Sequence, residues 1–127
     1  MAYYPSHGHR VLLGAIKGAD MNVTTDQAIP VPYAKYVIRN IIVTNASTNL
    51  TLAAGGVYTA TSKGGTTVVA AAQVYTALSA STKFVDLTLA SGVTGDVVTA
   101  ATLYLSLTTG QGAAATADCY IFGDVLP

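Results

Sequence analysis

Charge is what this chain has least of. Six Lys and Arg and six Asp, with no Glu, make up 9% of its 127 residues, against about 25% in an ordinary soluble domain. With no Glu, few Lys and abundant Thr, Val, Ala and Gly, helix is disfavoured and strands and turns are favoured. The formal net charge is zero and the mean hydropathy is +0.48. A free monomer of this kind has little colloidal protection. Two readings fit: a Thr-coated β domain, or a domain with much of its surface covered in an assembly.

Other absences narrow the field. The single Cys119 cannot form an internal disulfide, and its place in a strand pattern predicts a buried, inert thiol. No run approaches 18 apolar residues, so no spanning helix and no membrane partner are expected. Arg10, Lys17, Lys35, Arg39, Lys63 and Lys83 are scattered, which leaves no footprint for a nucleic-acid partner. The apolar run at 11–16 is too short for the core of a signal peptide, so the cytoplasm of the producing cell is the expected site of synthesis and assembly.

Reaction chemistry is also missing. His7 and His9 form the one histidine pair, on a stretch rich in Tyr and Pro that is a poor scaffold for a metal site. No nucleophile elbow, phosphate loop or calcium-loop spacing occurs. Asp20, Asp26, Asp86, Asp96, Asp118 and Asp124 fall in turns or on outward strand positions, where solvated carboxylates are the simple reading. No catalytic residue, cofactor or metal is assigned, and the expectation is a protein that is not an enzyme; a small glycosidase would need two Asp facing each other across a cleft.

What is present is alternation. In 103–108, Leu103, Leu105 and Leu107 share one face and Tyr104, Ser106 and Thr108 the other, the period of a half-buried strand. Gly110-Gln111-Gly112 interrupts, and Cys119 and Ile121 then oppose Asp118, Tyr120 and Phe122. This predicts a long β-hairpin over 96–124 whose leucine face builds the core. Residues 10–16 and 50–53 read as short strands, and 17–26 as a loop. Val31 between Pro30 and Pro32 reads as an edge. Tyr36–Thr44 is a strong strand, apolar on both faces, suited to covering by the core on one side and a partner on the other. Val57-Tyr58-Thr59-Ala60 is echoed by Val74-Tyr75-Thr76-Ala77, which predicts two similar strands, with a hairpin turn at Lys63-Gly64-Gly65. In 83–89, Val85, Leu87 and Leu89 point inward and Phe84, Asp86 and Thr88 outward. Eight or nine strands at this spacing predict an all-β fold. The expectation is one antiparallel β-sandwich domain over 1–127, jelly-roll-like, with an extended N-terminal arm at 1–9; an immunoglobulin-like sandwich is the second choice.

Eight Tyr stand against two Phe, and Tyr suits interfaces and glycan-stacking platforms alike. The candidate interface is Tyr3, Tyr4, His7 and His9 of the arm, Tyr36, Ile38 and Ile42 of the doubly apolar strand, and Tyr104, Ser106, Thr108 and Tyr120.

The stretches 51–78 and 102–126 together resemble, in texture, the small β-rich structural proteins of tailed-bacteriophage virions. The resemblance implies a non-enzymatic capsid decoration or cement protein. Such a protein binds the major capsid protein or other virion proteins and stabilises the head, in the virion, as a homo-oligomer with a trimer favoured. The alternative it leaves open is a head-fibre, collar or tail component acting as a receptor- or glycan-binding module.

Overall fold

The computed structural model describes residues 10–127. The expected arm at 1–9, with Tyr3, Tyr4, His7 and His9, lies outside the described residues. Eight strands follow in order: β1 (Val11–Asp20), β2 (Gln27–Pro30), β3 (Tyr36–Thr44), β4 (Ala54–Ala60), β5 (Gly64–Val69), β6 (Phe84–Asp86), β7 (Thr102–Thr109) and β8 (Thr116–Val125). They form two four-stranded antiparallel sheets. Sheet A has the order β1-β8-β3-β6 and sheet B the order β2-β7-β4-β5.

That order is a jelly roll. β1 pairs with β8, β2 with β7, β3 with β6 and β4 with β5. The chain is one long antiparallel ribbon, its tip at residues 61–63, rolled so that successive pairs alternate between sheets. The tip is the expected hairpin turn moved slightly upstream. Ser62 and Lys63 adopt φ of 56°, the left-handed twist that matches the strands they join, while Gly64 and Gly65 already belong to β5.

The rolled topology corrects the predicted hairpin at 96–124. β7 pairs with β2 and β4 in sheet B, and β8 with β1 and β3 in sheet A. Residues 110–112 are therefore an arch between sheets. The alternation was real, but each strand buries its inner face against the opposite sheet. Leu103, Leu105 and Leu107 meet the layer that holds Ala117, Cys119 and Ile121, and all six are buried. The arch is tied down locally. The Gln111 side chain accepts from the N–H groups of Leu52 and Ala53 at 2.9 and 3.1 Å and donates to Thr51 Oγ1 at 3.1 Å. Asn22 Oδ1 accepts from the Gly112 N–H at 2.7 Å.

Three further expectations shift. β1 continues through Lys17 to Asp20, helped by register shifts after Leu12 and Ile16. Residues 50–53 are a loop with a bend at Thr51 and Leu52 rather than a strand. The echo at 74–77 is loop, with an isolated bridge from Val74 to Ala54 of β4 in place of a strand pairing. Its Tyr75 is fully buried, and its hydroxyl donates to Gly55 O at 3.1 Å. That tertiary anchor overrides the strand propensity shared with Val57-Tyr58. β2 is an edge strand, as its prolines predict.

Close backbone packing fixes the centre of sheet B. A Cβ on Gly56 would stand 1.9 Å from the Val69 carbonyl oxygen, and one on Gly55 would stand 2.2 Å from the Leu107 Cα. Only glycine lets β4 run beside β5 and β7 here.

Candidate functional site

The two outer faces of the sandwich differ. On sheet B, Tyr58 and Tyr104 lie opposite each other on β4 and β7, with Tyr58 buried and Tyr104 half-buried. Beside them Lys63 reaches back from the ribbon tip. Its Nζ donates to Ser106 Oγ at 2.9 Å and to the Thr24 carbonyl at 3.3 Å. Asp26 accepts the Ser62 N–H at 2.8 Å. That bond, with a contact to Ser106 and the nearby Lys63 charge, holds the Asp26 carboxyl below its ordinary value. A serine beside a lysine invites a reading as nucleophile and base, yet Ser106 has no exposed surface. The cluster fits a clip that fastens the tip to the sheet. Thr108 is exposed but satisfied, its hydroxyl donating to the carbonyls of Ala54 and Ala71 at 3.2 and 3.1 Å. Of the three residues expected to form a contact face on β7, Ser106 is enclosed and Thr108 is already hydrogen-bonded.

On sheet A the strands line up in rows. Leu12, Phe122 and Asn40 form one row; Ala15, Tyr120, Ile42 and Asp86 form the next; Asp118, Thr44 and Phe84 form a third. Phe84 is 62% exposed and Leu12 47%, and Phe122, Tyr120 and Ile42 are half-buried. An apolar ridge thus crosses four strands in the open. Charged and polar groups frame it. Arg39 Nε donates to Asp124 Oδ2 at 2.7 Å, and Arg10 Nη1 donates to Asn40 Oδ1 at 3.2 Å.

Asp118 pins the β1 bulge at this face. It accepts the Gly18 N–H at 2.7 Å and the Asn45 amide at 3.1 Å. The backbone bond to Gly18 is the largest reason its carboxyl lies below the ordinary value; it outweighs desolvation, which acts the other way, and the Asn45 and Tyr120 bonds and the Lys17 charge add smaller effects in its direction.

A bulge redraws the doubly apolar strand. The β3–β8 register slips between Ile38 and Asn40, so Tyr36, Ile38, Ile41 and Val43 all face the core, while Val37, Asn40, Ile42 and Thr44 face out. Strict alternation would have grouped Tyr36 and Ile38 with Ile42. Tyr36 and Ile38 are core residues instead of contact residues. The Tyr36 hydroxyl donates to Ala100 O at 2.6 Å, and burial pushes its pKa up to about 12. Tyr120 and Ile42 remain candidates, side by side on sheet A. Tyr104 is on the opposite side of the sandwich, so the candidates of β7 and β8 do not form one surface. Leu12, Phe84 and Phe122 were not singled out. Phe84 and Phe122 were already outward by alternation; the missing information was which strands are neighbours.

A shallow cavity of about 240 Å³ opens at the edge of sheet B, lined by Thr59, Thr66, Val93, Asp96, Val98 and Thr99 among others. Among the described residues, no three His, Cys, Asp or Glu come together as metal ligands, and no helix is long and apolar enough to cross a membrane. Compared with protein-family models, curated proteins and solved structures, the chain matches none.

Proposed function

We propose that this chain is a non-catalytic structural subunit of a virion, of the capsid decoration or cement type. It would act by burying surface against copies of itself and against the major capsid protein. The observation that carries this reading is the outer face of sheet A, an exposed apolar ridge on a chain with very few charges to keep such a surface in water. The sequence texture adds the particle. Many modest contacts on one shell reinforce each other without any single tight one. The test is co-sedimentation of purified protein with capsids of the producing phage that lack it. Binding, with a rise in the capsids' resistance to heat, is the expected result; no binding sinks the proposal.

A receptor- or glycan-binding role is favoured by one feature, the cavity with Asp96 and three threonines among its lining residues. A carboxylate and hydroxyls beside valine walls suit a small polyhydroxylated ligand. A glycan array on which Asp96→Ala binds as the parent does, or on which neither binds, removes that reading.

A further inference from the structure

The charges on the outer face of sheet A are largely sorted by strand. Arg10 leads into β1, which carries Lys17 and ends on the exposed Asp20. β8 carries Asp118 and Asp124, β3 carries Arg39, and β6 carries Asp86. Lys17 is close enough to Asp118 to lower its pKa, which places the ammonium at this face. Across the sheet, in the order β1-β8-β3-β6, Lys17, Asp118 with Asp124, Arg39 and Asp86 run plus, minus, plus, minus, with Asp20 at the far end of β1 the exception. Lys83 stands just ahead of β6, and the apolar ridge of Leu12, Phe122, Tyr120, Ile42 and Phe84 runs between these charges.

Such a pattern discriminates between ways of laying one copy on another. A two-fold axis across the strands sets each strand on its own mate, like charge on like. A two-fold axis parallel to the strands, between β8 and β3, sets β1 over β6 and β8 over β3. Acidic β8 then meets basic β3, Lys17 of β1 lies toward Asp86 of β6, and Tyr120 lies over Ile42 of the second copy. Isologous pairing of this kind is the commonest symmetry of soluble oligomers, and opposed potentials fix its register. We infer that the outer face of sheet A is a self-complementary surface on which two copies of this chain pair face to face about an axis parallel to the strands. The inference rests on reading this face as a contact surface and names its occupant.

Strand spacing and rise give the face dimensions of roughly 19 by 24 Å. Such a face lies below the size of stable interfaces and in the range of weak, transient ones, so the pair should dissociate at micromolar or higher concentration. Sedimentation velocity from about 1 to about 300 µM covers this range. The expected result is a monomer–dimer equilibrium. Phe122→Glu, and separately the more exposed Phe84→Glu, each raise Kd about tenfold or more. Asp86→Lys weakens the pair, and Lys17→Asp in the same chain restores it, because β1 faces β6 of the other copy. Circular dichroism confirms that each variant is folded, and Phe84→Glu carries the test if Phe122→Glu is not. A monomer throughout, a trimer, indifference to the folded Phe→Glu variants, or no rescue by the double variant overturns the inference. The capsid assay stands apart: pairing without capsid binding removes the virion role and keeps the pair, and capsid binding by a strict monomer does the reverse.

Discussion

Asp118 joins β8 to the bulge of β1 and to the Asn45 turn through one carboxylate. Its pKa lies below 3.8 in the folded state, as does that of Asp26. A carboxyl with a depressed folded pKa stabilises the fold above its unfolded value, and that stability is lost as pH falls through the folded value. Thermal unfolding should therefore be level from neutrality down to about pH 5 and fall below about pH 4, where unfolded Asp takes up protons. Asp118→Asn should flatten part of the decline; an unchanged acid profile refutes its role. On the inward side of the same strand, next to Asp118 in the chain, Cys119 is fully buried and its thiol is pushed up to about 12 by desolvation. Only the thiolate reacts. A thiol reagent at pH 8 should leave native protein unlabelled and label it once in denaturant.

The arch at 110–112 shows what an element needs beyond its own sequence. Gln111 satisfies two backbone N–H groups from a loop about sixty positions earlier. Gln111→Ala leaves both N–H groups without that partner and should cost about 1 kcal/mol, read as a lower denaturant midpoint. In β4, Gly56→Ala drives a methyl into the Val69 carbonyl and should cost about 3 kcal/mol, at the upper end of overpacking effects. Local signals placed several elements well. Tyr36–Thr44 begins and ends where its apolar run does, and the outward Phe84 and Asp86 follow from alternation. What alternation could not carry was the bulge at residues 39–40, since one inserted residue swaps the faces beyond it. Nor could it tell a hairpin from an arch. Leu103–Leu107 and Cys119–Ile121 read the same whether β7 and β8 share a sheet or oppose each other across the core. The apolar face of the candidate site was therefore half visible: its residues were outward in the sequence, but Leu12, Phe122, Ile42 and Phe84 become one ridge only through pairings 40 to 110 residues apart.

At the scale of the molecule, nearly every strand pair except β4–β5 is distant in sequence. Folds dominated by such pairings close long loops before any contact rewards them. Refolding after a denaturant jump should accordingly take on the order of milliseconds to seconds, with the β4–β5 ribbon tip the one region able to form early. A stopped-flow trace complete within microseconds contradicts this. The sparse charge of the surface matters here too, because partly folded chains have little repulsion to keep them apart.

β8 is hydrogen-bonded on both sides, to β1 and to β3, and it is the last of the eight strands to leave the ribosome. Until then sheet A lacks its middle, and β1 is not joined to the β3–β6 pair. The core side chains of β1 and β3, Leu13, Ile38, Ile41 and Val43, must wait for β8 through most of translation. Synthesis and folding are thus separated in time, and a ribosome stalled before residue 116 would hold a sticky, unfinished ribbon rather than a smaller version of the domain. In a cell making many copies at once, protection of that ribbon by a chaperone, more than the final stability, would set how much intact protein appears.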